Sequence, residues 1–216
     1  MHAKHAMIPK ADVTTVPSQF SLAKTLNIMD GVGHHTLPVV DYGRFVGVVN
    51  KLSILEHAYV HKDIDLEKAT VADVMIRDIP TIQEDDLIER AALMLKGLRI
   101  FFLPVVRDHT EDQFVGIIPN SQILNTFMDA FGYGEPGHRI SVVVHDMKGQ
   151  LAKLTHVVAA SDCNIISLTT LNPHVNLNLV RVVIKFTGNA DRLVERLEAN
   201  GFRVLDLQRE SSVETE

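Results

Sequence analysis

Eleven histidines, one cysteine and a few paired acids are the side chains in this 216-residue sequence best equipped for chemistry. His57 and His61 stand four apart, which puts both rings on one face of a helix, and His34 and His35 are adjacent. Zinc would need a third and usually a fourth ligand in tetrahedral reach. Glu56 precedes His57, so the His-Glu-x-x-His pattern of metalloproteases is absent. Histidines on a surface or in a cleft, with no metal and no cofactor, are the expectation. Cys163 precedes an apolar strand pattern and reads as a small, partly buried side chain rather than a nucleophile. Asp85-Asp86 has the position of helix-start charge, not of an acid/base pair. The chain holds no Gly-x-Ser-x-Gly elbow, no P-loop and no dinucleotide fingerprint, so the reading is non-enzymatic.

The elements that must position these residues follow from a repeat. Leu37-Pro38-Val39-Val40 recurs as Leu103-Pro104-Val105-Val106, an offset of 66 residues, and Val13-Thr14-Thr15-Val16 maps at the same offset onto Ile79-Pro80-Thr81-Ile82. Phe45-Val46-Gly47-Val48-Val49 recurs as Phe114-Val115-Gly116-Ile117-Ile118 at an offset of 69. The three extra residues fall in the intervening turn, where added length costs little loop-closure entropy. Each copy reads as a short extended segment, an amphipathic helix, two apolar strands and a closing helix. The first helices carry Leu22, Leu26 and Met29, and Ile88, Ala92 and Leu95, at helical spacing. Ser21 is the expected N-cap of one, and Asp85 or Asp86 of the other. The closing helices are expected near Ser53–Val60 and Ser121–Phe131.

After Phe131 the run Gly132-Tyr133-Gly134-Glu135-Pro136-Gly137 breaks helix and marks a boundary. Beyond it the order is strand (140–144), turn at Asp146-Met147-Lys148-Gly149, helix (151–160), strand (164–171), turn (172–176), strand (177–186), helix around Leu193 and Leu197, then a last strand (202–207). That is β-α-β-β-α-β, the ferredoxin-like arrangement. The expected division is 1–62 and 70–131 for the repeats, 132–138 for a linker and 139–209 for the last domain.

Composition supports a globular chain: 46% hydrophobic residues fill cores and 22% charged residues cover a surface. The net charge of −6, with basic residues spread thinly, argues against nucleic acid, which needs clustered Lys and Arg. A single cysteine excludes an intramolecular disulfide. No apolar run approaches the length of a membrane span, and a cytoplasmic protein is expected.

The doubled unit, with its Leu-Pro-Val-Val strand and its Phe-Val-Gly strand leading into a helix, resembles a pair of CBS domains (a Bateman module). Met7 and Met75 fit the usual opening of such repeats. The last third resembles an ACT domain, with Asp146-x-x-Gly149 at the first turn and Asn164-Ile165 opening the second strand. The order CBS-CBS-ACT is similar to that of AcuB-type proteins, named for acetoin utilisation. The resemblance implies a mixed α and β (α+β) fold, a pseudo-twofold CBS pair followed by a ferredoxin-like ACT domain. It also implies a homodimer that regulates an unidentified partner.

The resemblance further implies sites. Adenine nucleotides commonly occupy the clefts of CBS pairs, with Thr36, Leu37, Pro38, Phe102, Leu103 and Pro104 as walls for the base. In nucleotide-binding repeats the glycine strand ends in Thr or Ser, followed three residues on by an Asp that accepts from both ribose hydroxyls. Here the two stretches are Asn50-Lys51-Leu52-Ser53 and Pro119-Asn120-Ser121-Gln122, so Ser53 and Gln122 replace both carboxylates. Lys51 and Arg99 are candidates to meet phosphate, with ordinary surface charge as the alternative. Cyclic di-AMP presents no vicinal diol and would lose less than AMP in such a cleft. At the ACT turn an amino-acid or other small effector would meet Asp146, Gly149, Asn164 and Ile165, unless Asp146 simply caps the following helix. An interaction module with degenerate clefts is the other reading.

Overall fold

The computed structural model describes residues 1–96, 101–107, 113–171 and 178–209. Arg99 and the expected turn at 172–176 lie outside the described residues. The chain divides into two compact units, Met1–Asn125 and Thr126–Glu216.

The first unit opens with β1 (Ile8–Pro9), then α1 (Leu22–Val32), the hairpin β2 (Thr36–Asp41) and β3 (Arg44–Asn50), and α2 (Lys51–Val60). The second copy supplies β4 (Ile82–Gln83), α3 (Ile88–Leu95), β5 (Phe102–Val106), β6 (Phe114–Pro119) and α4 (Asn120–Ala130), whose last turn crosses into the second unit. Ser21 caps α1 as expected, its Oγ accepting from the Lys24 N–H at 3.2 Å. Neither Asp85 nor Asp86 caps α3. Asp85 takes Lys4 Nζ at 2.6 Å, while Asp86 accepts from the Gln83 N–H and from Arg90. The N–H of Ile88 goes instead to the carbonyl of Met1, 87 positions earlier in the chain, at 2.9 Å.

That bond belongs to a larger exchange. β1 pairs not with its own repeat but with β6, Ile8 opposite Ile117 and Pro9 opposite Gly116, in a sheet ordered β1-β6-β5-β4. In return Ile76, from the start of the second copy, bridges Val48 on β3, and Val16 bridges Val39 in parallel. The same four-segment order therefore forms twice, each copy lending its opening segment to the other. The exchange explains the glycines of the repeated Phe-Val-Gly strands. A Cβ on Gly47 would stand 2.5 Å from the Ile76 carbonyl oxygen, and one on Gly116 would overlap that of Ile8.

Among the described residues, two apolar clusters help to hold this unit. Leu22, Met29, Leu37, Val49 and Ile54 pack within the first copy. Phe45, Val48, Phe102, Val106 and Phe114 pack where the two hairpins meet, the rings of Phe45 and Phe114 stacked with centroids 6.2 Å apart.

The second unit contains β7 (His138–His145), α5 (Gln150–Ala160), β8 (Asn164–Leu171), β9 (Leu179–Thr187), α6 (Ala190–Ala199) and β10 (Arg203–Gln208). Its sheet is ordered β10-β7-β9-β8. Ile140, Val142 and Val144 alternate toward Val182, Ile184 and Phe186 on the next strand and pack under Leu154, Leu193 and Leu197 of the helices. Asn189 caps α6 by accepting from Arg192 N–H, and Gly201, at φ 81°, ends it with its N–H on the Glu198 carbonyl. The Gly132–Gly137 run is bonded down within this unit. Ser167 Oγ donates to the Phe131 carbonyl at 2.8 Å, and a Cβ on Gly137 would stand 2.8 Å from the Phe186 oxygen.

Candidate functional site

A cleft of about 400 Å3 opens between the two CBS-like copies, large enough for a small organic ligand. One wall is the opening segment: Ile8, Asp12, Val13 and Thr14. A second runs from Gly33 through His34 and His35 to Thr36, Leu37 and Pro38. The third comes from the other copy, with Phe101, Phe102, Ile117 and Pro119. Gly33 ends α1 in the left-handed conformation, φ 69°, which no β-branched residue tolerates cheaply, and so turns His34 and His35 out of the helix.

Of the residues expected here, Thr36, Leu37, Pro38, Phe102 and Pro119 line the cleft. Leu103 and Pro104 do not. β5 is buried along its whole length, and Leu103 is 0% exposed, so its side chain belongs to the core. Asn50 and Ser53 are occupied with each other. Asn50 caps α2, its Oδ1 accepting from the Ser53 N–H at 2.6 Å and from the Ser53 hydroxyl at 3.0 Å. Lys51 is held by Asp30, Nζ to Oδ1 2.6 Å, and its N–H donates to the His35 carbonyl. Gln122 is half-buried in the first turn of α4.

Ile8, Asp12, Val13, Thr14, Gly33, His34, His35, Phe101 and Ile117 line the cleft without having been expected there. Only the His34-His35 pair, just before the Leu-Pro-Val-Val strand, carried a visible signal. Ile8 could not be found by periodicity, because its place depends on pairing with a strand more than a hundred residues away.

A smaller hollow of about 240 Å3 lies at the turn after β7, lined by Val144, His145, Asp146, Met147, Gln150, Leu151, Thr170 and Val180. Asp146 is exposed there and does not cap α5, whose N-cap is Gly149 without a side-chain bond. Gly149 has φ 86° and open space around its Cα, so it serves the turn's conformation and not a close approach. Asn164 and Ile165 fall elsewhere. β8 runs parallel to β7, so Thr170 at its end meets the hollow while Asn164 starts roughly 20 Å away along the strand.

The other chemical candidates resolve simply. The His57 and His61 rings lie 4.5 Å apart, and among the described residues no group of three or more His, Cys, Asp or Glu is placed to hold a metal ion. Cys163 is buried, and burial pushes its thiol above the usual range, away from the nucleophilic thiolate. Gly132-Tyr133-Gly134-Glu135-Pro136-Gly137 has the Gly-x-Gly-x-x-Gly spacing of a dinucleotide fingerprint. It joins a helix to a strand, the reverse of the strand-to-helix context that cradles phosphate. Among the described residues no helix is long and apolar enough to cross a membrane.

Comparison with known proteins agrees with this architecture. The CBS domain model matches residues 3–60 and 71–129, and the TTHA0829-like ACT domain model matches 136–208. A CBS domain pair/ACT domain protein from Thermotoga maritima superposes with a TM-score of 0.50 at 26% identity, over 60% of this chain and 98% of that one. CbpB in complex with c-di-AMP gives a TM-score of 0.52 at 24% identity, over 60% of this chain and 85% of its own. CBSX2 of Arabidopsis thaliana in complex with AMP gives 0.51 at 23%, over 59% and 96%. The last two likenesses are of fold. L-aspartate semialdehyde sulfurtransferase from Methanocaldococcus jannaschii is 27% identical over 114 residues, 52% of this chain. The match spans only 21% of that enzyme. With both of its repeats and its last third matched by family models, the chain belongs to the CBS-domain proteins, as a tandem CBS pair followed by a TTHA0829-like ACT domain.

Proposed function

We propose that this protein is a non-enzymatic regulatory sensor that binds an adenine nucleotide in the cleft between its CBS copies. The observation that carries the reading is the cleft itself, ligand-sized, apolar on the wall from the second copy and built from both copies. CBS pairs of the same fold are seen with AMP in CBSX2 and with c-di-AMP in CbpB. The absence of a carboxylate at Ser53 and Gln122 favours c-di-AMP over AMP, since it removes a partner for the free diol. The hollow beside Asp146 and Thr170 is the place for a small effector of the ACT domain, an amino acid being the natural class for a carboxylate facing an ammonium. The sensor acts on an unidentified partner protein in the cytoplasm.

A thermal-shift panel of AMP, ADP, ATP, cyclic di-AMP and the common amino acids tests this. A ligand at a hundred times its Kd stabilises the folded state by about 2.7 kcal/mol, or roughly 5–10 °C for a chain of this size. Thr36→Trp, which fills the cleft, should erase a nucleotide shift and leave an amino-acid shift intact. Silence from every nucleotide would end the CBS sensor reading. It would leave the second one, an interaction module with degenerate clefts, which the Asn50–Ser53 and Lys51–Asp30 pairings favour.

Homodimerisation belongs to the same reading. Leu52, Leu55 and Tyr59 are exposed at helical spacing on α2, a stripe suited to a second copy. Leu55→Glu combined with Tyr59→Glu should convert a dimer to a monomer in sedimentation velocity, without loss of helix content. An unchanged dimer would move the interface elsewhere.

A further inference from the structure

Among its described residues, the cleft carries the charge opposite to what a polyphosphate needs. Its described lining includes one carboxylate, Asp12, two imidazoles, His34 and His35, and no lysine or arginine. Lys51, one of the cations expected to meet phosphate, is already paired with Asp30. Lys10 begins the same short turn as Asp12, but only Asp12 is part of the wall. The helix end that normally receives phosphate is also engaged. Of the first three N–H groups of α2, that of Lys51 donates to His35 and that of Ser53 to Asn50. A phosphate entering here would give up water for an apolar wall and a fixed negative charge.

From this we infer that the cleft discriminates by phosphate charge, preferring adenosine or its monophosphate to the di- and triphosphate, and that Asp12 is the residue that sets the order. The inference rests on the nucleotide-sensor reading and narrows it. A carboxylate, missing from both ribose positions, is present instead on the wall formed by the opening segment, where it can accept from a ligand N–H or O–H and repels each added phosphate. Repulsion between unit charges several ångströms apart near a surface corresponds to about threefold in affinity per charge, more at low salt.

The test is calorimetric titration of the full chain with adenosine, AMP, ADP and ATP. It is run without magnesium, at pH 8 and low salt, so that each phosphate adds its full charge. The expected result is a Kd that rises about threefold or more with each phosphate beyond the first, a ladder that flattens in Asp12→Asn and compresses in the wild type at 0.3 M salt. Asp12 is exposed on a surface turn, so the variant should fold, and the salt series on the wild type decides independently if it does not. Tighter binding of ATP than of AMP, or a ladder unaltered by both Asp12→Asn and salt, would overturn the inference while leaving the sensor reading standing. Failure of all four to bind would overturn the inference, and the sensor reading would fall with it only if cyclic di-AMP, titrated alongside, were silent too.

Discussion

Gly116→Ala should destabilise the first unit by about 3 kcal/mol or more, an unusually large effect for one added methyl group. The position is not demanding in its backbone; the cost is one of space. The new Cβ would overlap the carbonyl oxygen of Ile8, a backbone atom that cannot rotate away, and would press on Met7 Sδ at 3.3 Å. Overpacking of this kind typically costs about 1–3 kcal/mol. Relief by letting β1 peel off β6 adds the loss of its strand bonds, about 1 kcal/mol each. It would also expose Ala3 and Ala6, both buried residues of the opening segment itself. Gly47→Ala should behave alike through Ile76, made worse by a φ of 155°. With no tryptophan in the chain, urea unfolding followed by far-UV circular dichroism is the natural measurement. Deleting Met1–Pro9 supplies the control. In that background Gly116→Ala should cost less than about 0.5 kcal/mol, because the atom it collides with has gone. Equal costs in the two backgrounds would mean that the glycine matters for some reason other than the exchanged strand.

The same glycines show how much of this protein could be read in its sequence. The repeat, the strand and helix order of both copies and the β-α-β-β-α-β of the last third were all visible, because alternation, helical spacing and turn residues are local. The exchange of opening segments was not. Gly47 and Gly116 were conspicuous as repeated glycines, yet their cause lies in backbones 29 and 108 positions away in the chain. The lining of the cleft was only partly legible for the same reason. Motif positions pointed to Asn50, Lys51 and Ser53, which fold into a helix cap and an ion pair. The residues that build the wall, Ile8 and Asp12 to Thr14, come from the crossing segment. In the ACT unit, Asp146 and Asn164 were grouped by family pattern. Parallel strands place the end of one beside the end of the other, so a residue that begins β8 is remote from the turn that ends β7.

Leu103 separates packing from recognition. It stands in the repeated Leu-Pro-Val-Val motif and was expected to contact ligand, but its side chain is fully buried in a strand with both faces covered. Leu103→Ala should therefore cost about 3–4 kcal/mol of stability, transfer energy plus an unfilled cavity, as other buried leucines do. The paired position Leu37 is also buried, at 1% exposure, but it lines the second wall of the cleft. Leu37→Ala should lose a similar stability and nucleotide affinity as well. The contrast is measurable without unfolding either protein. Below its melting temperature, Leu103→Ala should bind nucleotide within about twofold of wild type, while Leu37→Ala falls about tenfold, the value of roughly 1.4 kcal/mol of lost wall contact. Should Leu103→Ala lose affinity as steeply while remaining folded by circular dichroism, the recognition surface would have to reach through β5 into the core. The motif would then be read as binding chemistry and not as packing. Should both variants bind normally, Leu37 would be packing too, and recognition would rest on Pro38, Phe101 and the crossing segment.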